Sequence, residues 1–234
     1  MEVKIGIAKI TKFGANFCGD AFDLTQRPQG GISAIVADSQ GSGELARYIS
    51  NYAVNRAAKL IAEGARDEAV ALGVHEEIYE MKDKKACAFT ILSADLADET
   101  LVISRNSHCP VLIKTEDYET IYDDSVSPLG LLRGVKPLMY SLPLTPGLIA
   151  VAYTNGVANA GKKTLSHEAD IKKIQAIIEQ NSPEETDYIA HSIVEYALKL
   201  DEEKPGGDMT VVVMGVTDKE TKPQVVGLNL TYPF

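Results

Sequence analysis

The sequence has few cysteines, no run of basic residues longer than a pair, and no long apolar stretch. Its 23 Lys and Arg against 33 Asp and Glu give a net charge of −10, which disfavours capture of a nucleic-acid backbone or an anionic membrane surface by charge. The longest purely apolar run, Leu148 to Tyr153, is far shorter than the roughly 20 residues of a membrane helix. The charged amino terminus lacks the apolar core of a secretory segment. We therefore expect a cytoplasmic protein with neither a membrane nor a nucleic acid as partner.

The three cysteines, Cys18, Cys87 and Cys109, are odd in number and lack the paired spacing of a zinc site or a redox motif. We interpret them as reduced residues that behave as small apolar side chains.

What the sequence does have is the composition of a globular protein. Its 234 residues are 45% hydrophobic and 24% charged, which is enough apolar surface for a sizeable core and argues against a disordered, collagen-like or coiled-coil chain. The length favours one domain over residues 1–234.

Hydrophobic periodicity indicates strands near both ends of the chain and helices between them. Strands are predicted over residues 3–10, 31–37, 86–94, 100–104, 111–114, 148–154, 209–216 and 224–230. A helix is predicted over 43–64, with the apolar residues Leu45, Ile49, Ala53, Ala57 and Leu60 on its inner face. A second helix is predicted over about 65–82, and a third begins near Ser166. A fourth begins at the capping motif Ser182-Pro183-Glu184-Glu185. This order is typical of an α+β protein with antiparallel sheets between helix layers.

Acidic and amide side chains stand where strands meet glycine turns. They are Asp20, Asp38, Asn155 and Asp208. Hard divalent cations prefer several oxygen ligands, so this pattern predicts a Mg²⁺ or Mn²⁺ site. The alternative is that these residues only form turns, because their side chains hydrogen-bond the local backbone.

Six short motifs together resemble the metal-dependent PPM-type protein serine/threonine phosphatases, in the bacterial SpoIIE-like and RsbX-like branch. In chain order they are Cys18-Gly19-Asp20, Asp38-Ser39-Gln40-Gly41-Ser42-Gly43, Ser107-His108-Cys109-Pro110-Val111-Leu112, Pro128-Leu129-Gly130, Thr154-Asn155-Gly156-Val157 and Gly207-Asp208-Met209-Thr210. Each motif alone is weak, whereas the ordered set is specific.

The resemblance implies a four-layer α-β-β-α sandwich, in which two antiparallel sheets are flanked by helices. It also implies a metal site at one edge of the sandwich, with Asp20 and Asp38 as catalytic ligands and the carbonyl of Ser39 as a further ligand. The implied reaction is hydrolysis of phosphoserine or phosphothreonine on a partner regulatory protein by metal-activated water.

The sequence departs from the family at two ligand positions. Asn155 and Gly207 stand where the resemblance implies aspartates, so one ion should bind much more weakly than the other. Asp208 could replace a missing aspartate only if a bulge or turn redirects it, because side chains alternate along a strand. Two hypotheses follow: a phosphatase with one or two Mg²⁺ or Mn²⁺ ions and reduced activity, or an inactive pseudophosphatase that regulates by binding.

Other polar residues are expected to be structural or solvated. His108 is interpreted as a turn residue, Lys12 and Arg105 as surface cations, and the run 201–204 as a solvated helix end, with an acidic docking patch as the alternative.

Overall fold

Two five-stranded antiparallel sheets form the centre of the computed structural model, which describes residues 1–41, 43–162, 164, 168–219, 226–228 and 230–231. The first sheet has the strand order β1-β10-β9-β6-β7 and the second the order β2-β3-β4-β5-β8. The strands of this described part are β1 (Glu2–Ile10), β2 (Asp20–Gln26), β3 (Gly31–Ser39), β4 (Cys87–Asp95), β5 (Thr100–Asn106), β6 (Val111–Lys114), β7 (Glu119–Tyr122), β8 (Leu138–Pro143), β9 (Ile149–Tyr153) and β10 (Met209–Thr217).

The helices lie on the outer faces of the two sheets. They are α1 (Glu44–Ala62), α2 (Asp67–Glu80), α3 (Asn155–Ala158), α4 (Ile171–Glu179) and α5 (Thr186–Leu200). One buried cluster joins the second sheet to α1 and α2, another joins the first sheet to α3, α4 and α5, and a third lies between the sheets. The predicted four-layer α-β-β-α sandwich is therefore confirmed.

Helical periodicity was a good guide to which helix faces are buried. In α1, Ile49, Ala53 and Ala57 are fully buried as predicted, but Leu45 is exposed and Ala46 takes the inner position instead. The stripe in α5 includes buried Ile189 and Ile193, as expected from spacing.

Three strands were not predicted, namely β2, β7 and β8. Their sequences alternate poorly: β2 reads DAFDLTQ and β8 ends in proline, so pairing with neighbouring strands decides their conformation. The predicted strand over 224–230 is wrong where the structure describes it, because residues 226–228 and 230 lie in no strand, and its remaining residues lie outside the described ranges. The predicted helix start at Ser166 also lies outside the described residues.

The start of α5 corrects the sequence prediction by a few residues. The helix begins at Thr186, and the Ser182–Glu185 motif forms a turn before it. The amide of Ser182 donates to Glu185 Oε2 at 2.9 Å, so the reciprocal half of the predicted capping box is present.

Arg105 is a clear error of the sequence interpretation, since its side chain is fully buried rather than solvated. Its guanidinium donates to the carbonyls of Ser107, at 2.7 Å, and of Asp124. These bonds tie the turn after β5 to the segment before β8, and that turn carries His108.

Three further observations bear on the expectations from composition. All three cysteines are free, and that they are reduced stays a prediction. Cys87 and Cys109 are buried among apolar residues. In the part of the chain covered by the structure, no helix combines the length and the apolar character that crossing a bilayer requires.

Removing the buried guanidinium tests its role as a brace. Arg105→Ala should lower the free energy of unfolding by about 3 kcal/mol, because it leaves buried carbonyls without a donor and opens a cavity. Urea unfolding measures this, with the exposed Arg133→Ala as matched control. Equal effects of the two substitutions would show that Arg105 contributes nothing beyond an exposed arginine.

Candidate active site

Asp20 and Asp38 face each other across a strand pair. β2 and β3 pair in antiparallel register with Asp20 opposite Asp38. Ala34 and Val36 of β3 are buried between the sheets, so alternation directs Asp38 to the same inner side at the end of the strand. The two carboxylates predicted to act together therefore lie at the rim of the space between the sheets.

The opposite sheet supplies the hydrogen-bond partners of Asp20. This carboxylate is 2% exposed, and its Oδ2 accepts from the hydroxyls of Thr154 and Thr210, each at 2.7 Å. Thr154 follows β9 and Thr210 lies in β10, so the two bonds cross from one sheet to the other. Both threonines stand inside motifs recognised in the sequence, but no pattern there indicated that they hold Asp20.

Asp38 receives a weaker contact from the backbone. The amide of Asn155 donates to Asp38 Oδ2 at 3.3 Å. The Oδ1 of Asn155 accepts from the thiol of Cys109 at 3.3 Å, so this side chain also contacts the β5–β6 turn. Asp20, Asp38 and Asn155 are thus brought together, as the motifs predicted.

The surroundings raise the pKa of both aspartates. Burial raises the pKa of Asp38 to about 6, opposed by the hydrogen bond from the Asn155 backbone and assisted by the negative charge of Asp208. Burial, followed by the charge of Asp38, holds the pKa of Asp20 well above its ordinary value despite the two threonine hydroxyls. No ion pair among the described residues involves either carboxylate. No basic side chain in the described part of the chain therefore offsets the negative charge of either carboxylate when it ionises.

Asp208 lies in the same cleft, but both of its carboxylate oxygens accept hydrogen bonds from backbone amides. The amide of Lys12 donates to its Oδ1 at 2.8 Å and that of Gly19 to its Oδ2 at 2.7 Å. The carboxylate precedes β10 rather than lying within it, so strand alternation does not aim it away from the site. It ties the β1–β2 loop to the wall of the cleft.

The cleft that contains these side chains has a volume of about 560 Å³. Its polar lining includes residues to which sequence reasoning gave no role at the site: Lys12, Gln40, His108, Lys162 and Asp201. Spacing in the sequence carries no signal for Lys162 or Asp201, because they reach the cleft from the segment after α3 and from the end of α5.

Asp201 corrects the interpretation of residues 201–204 as a solvated helix end. Its side chain is buried, and it accepts from the amides of Gly161 at 2.8 Å and Gly206 at 2.7 Å. Glu202 and Glu203 are exposed, as predicted. One aspartate of the run therefore braces two loops that line the cleft.

Ser39 is buried beneath α1, where its amide donates to the hydroxyl oxygen of Ser50 at 2.9 Å. Its neighbours Asp38, Gln40 and Gly41 line the cleft. The role of its carbonyl as a metal ligand stays a prediction.

The acidic side chains of the cleft differ in how well they fit a divalent cation. Across the described ranges, no three His, Cys, Asp or Glu side chains are gathered into a group ready to hold a metal ion. Asp20 and Asp38 nevertheless fit one hard cation, because they are paired oxygen donors with negative charge and no basic partner. Asn155 and Gly207 also line the cleft, where Asn155 supplies a neutral oxygen and Gly207 supplies no side chain.

The backbone is closely packed on the side of the cleft that carries Asn155 and Gly207. A Cβ on Gly156 would lie 1.9 Å from the carbonyl oxygen of Asp208, so only glycine fits there. A Cβ on Gly207 would lie 3.2 Å from the Cα of Gly156, a tight contact that a shift of a few tenths of an ångström would relieve. A side chain at position 207 is therefore sterically feasible.

Two antiparallel five-stranded sheets between helices form the α+β fold that this chain shares with solved PP2C phosphatase domains. The chain belongs to the SpoIIE family, because the family model described as Stage II sporulation protein E (SpoIIE) matches its residues 28–217. The resemblance stated from the motifs is thereby confirmed.

Known relatives agree with this assignment. Stage II sporulation protein E of Bacillus subtilis is 23% identical over 223 residues, which is 94% of this chain, and the chain spans only 26% of that protein's length. A structure of the PP2C phosphatase domain and a regulatory-domain fragment of SpoIIE from Bacillus subtilis is 18% identical, with a TM-score of 0.77, covering 92% of this chain and 62% of that one. A crystal structure of RsbX in complex with magnesium is 16% identical, with a TM-score of 0.67, covering 92% and 96%.

The raised pKa of Asp38 predicts how the metal-free protein responds to pH. Between the ordinary pKa of 3.8 and the folded value of about 6, the folded protein keeps a proton that the unfolded chain releases. In EDTA, the free energy of unfolding should therefore fall as pH rises from about 4 to about 6, by up to about 3 kcal/mol.

Urea unfolding at several pH values measures this slope. Asp38→Asn should reduce the slope and leave the part contributed by Asp20, whose pKa is also raised, whereas the exposed Asp98→Asn should leave the slope unchanged. A slope as steep in Asp38→Asn as in the unsubstituted protein would contradict the assignment to this carboxylate.

Proposed function

We propose that the chain, acting as one domain, is a metal-dependent phosphatase that hydrolyses phosphoserine or phosphothreonine on a partner regulatory protein. The observation that carries the proposal is the pair formed by buried Asp20 and half-buried Asp38, which face each other in a cleft and form no salt bridge with a basic side chain of the described residues. The SpoIIE family assignment and the PP2C architecture support it.

Asp20 and Asp38 would hold Mg²⁺ or Mn²⁺. When bound, such an ion lowers the pKa of water and offsets the charge that develops on a phosphoryl group. The magnesium in the RsbX complex supports this choice of cation. One ion is expected at Asp20 and Asp38, with the Ser39 carbonyl, and a weaker second one at Asp38 and Asn155, with Asp208 nearby.

The protein's own residues have separable tasks. The hydroxyls of Thr154 and Thr210 hold Asp20 in one orientation, so that its second oxygen stays free for a ligand. The Asn155 amide orients Asp38 in the same way. Lys12 and Lys162 line the cleft and can attract a phosphate to an otherwise acidic site.

Loss of the central carboxylate tests the proposal directly. Asp38→Ala should lower Mn²⁺-dependent hydrolysis of an aryl phosphate and of a phosphoserine peptide by about a hundredfold or more, because it removes a charged ligand. The matched control is the exposed Asp98→Ala, which should keep the rate. Equal hydrolysis by the unsubstituted protein and Asp38→Ala would refute the enzymatic function.

Restoring the missing carboxylates tests the ligand mapping. Asn155→Asp combined with Gly207→Asp should raise both Mn²⁺ affinity and the rate of hydrolysis, since affinity rises with ligand charge and number. Titration calorimetry and the aryl phosphate assay measure the two effects. Unchanged affinity and rate in a folded double variant would show that these positions do not face the ion.

A second candidate function is a pseudophosphatase that regulates by binding. The neutral Asn155 and the absent side chain at Gly207 favour it, because they leave one metal position with a reduced ligand set. This candidate predicts that phosphopeptide binding persists while Mn²⁺-dependent turnover is absent.

A further inference from the structure

Two phenylalanines are exposed beside the candidate active site. Phe13 and Phe17 lie in the loop between β1 and β2 and are 62% and 48% exposed. The same loop lines the cleft with Lys12, and its amides at Lys12 and Gly19 bind Asp208. The two aromatic side chains therefore belong to a loop that lines the cleft.

Both rings are held in place although they are open to solvent. The guanidinium of Arg47 lies 4.7 Å from the centroid of the Phe17 ring, and the ammonium of Lys204 lies 5.9 Å from that of Phe13. The amide of Phe13 also donates to the carbonyl of Pro205 at 2.9 Å. Contacts from α1 and from the segment after α5 thus fix an exposed apolar pair in one arrangement.

A second segment at the cleft carries exposed apolar side chains as well. Pro128 lines the cleft, and Leu131 and Leu132, which follow it, are 47% and 57% exposed. We call Phe13, Phe17, Leu131 and Leu132 the apolar rim. Exposed apolar side chains on two segments that line a cleft are typical of a surface that contacts another molecule.

We propose that the apolar rim docks a phosphorylated polypeptide segment whose phosphoserine or phosphothreonine is flanked by apolar side chains. The inference deepens the proposed function and rests on it, because it assumes that the cleft receives the phosphate. Phe13 and Phe17 are the central contacts, since aromatic side chains dominate the energetics of such surfaces.

The distribution of charge supports a peptide of this kind. Although the chain carries a net charge of −10, the cations Lys12, Arg47, Lys162 and Lys204 lie in the cleft or against the two rings. Lys12 and Lys162 in the cleft complement a phosphate dianion, while the rings complement the apolar residues beside it.

Binding of two non-hydrolysable peptides tests the docking surface independently of catalysis. Both contain a phosphonate analogue of phosphoserine, flanked by leucines in one peptide and by serines in the other. Fluorescence anisotropy in Mn²⁺ should show about tenfold tighter binding of the leucine peptide, a difference typical of one aromatic contact cluster. Phe13→Ala with Phe17→Ala should remove this preference.

Tyr188→Ala is the matched control, because Tyr188 is also 62% exposed but lies on α5 and outside the cleft lining. It should keep the preference for the leucine peptide. The inference is overturned if the unsubstituted protein binds both peptides equally, or if the preference survives in the double phenylalanine variant. It is equally overturned if sedimentation shows that the double substitution dissociates a dimer without changing the preference.

Hydrolysis of the corresponding phosphoserine peptides separates this inference from the proposed function. If turnover occurs, the ratio of kcat/KM for the leucine peptide to that for an aryl phosphate should fall about tenfold in the double variant. If no turnover occurs but the binding preference depends on the two phenylalanines, the inference of a docking surface is supported and the proposed phosphatase activity is refuted.

Discussion

The structure of the site depends on one register: β2 and β3 pair so that Asp20 lies opposite Asp38. Two like charges brought together in a buried place disfavour ionisation, and each alone would destabilise the fold. Hydroxyls of Thr154 and Thr210 from the other sheet partly offset this at Asp20. The acidic site therefore exists only when both sheets are packed, which couples the folding of the sandwich to the geometry of its rim.

Asp201 and Asp208 hold in place the loops that line the rest of the cleft. Asp208 binds the amides of Lys12 and Gly19, and Asp201 binds those of Gly161 and Gly206. In each case one carboxylate joins two segments that are distant in sequence, by satisfying backbone donors that would otherwise be unpaired. The loops that line the cleft are thus held by hydrogen bonds to backbone amides, and the close backbone packing leaves no room for a side chain at Gly156.

The motifs allowed a large part of the site to be predicted. Asp20, Asp38 and Asn155 were expected together and lie together, and the sandwich was expected from the order of elements. Arg105 was misjudged, because a charged residue in a strand gives no sign that buried carbonyls will surround it. Asp201 was misjudged for the same reason, since its two amide partners come from loops whose approach depends on tertiary packing.

The sequence by itself determined the class of fold and the inward faces of most helices and strands, because periodicity and residue identity are local properties of the chain. Only the tertiary structure decided that Thr154 and Thr210 hold Asp20, and that Lys162 and Asp201 reach the same cleft. These contacts join residues between about 40 and 190 positions apart. Such partners are selected when the sheets and helices pack, since hydrogen-bond geometry over that separation depends on the whole fold.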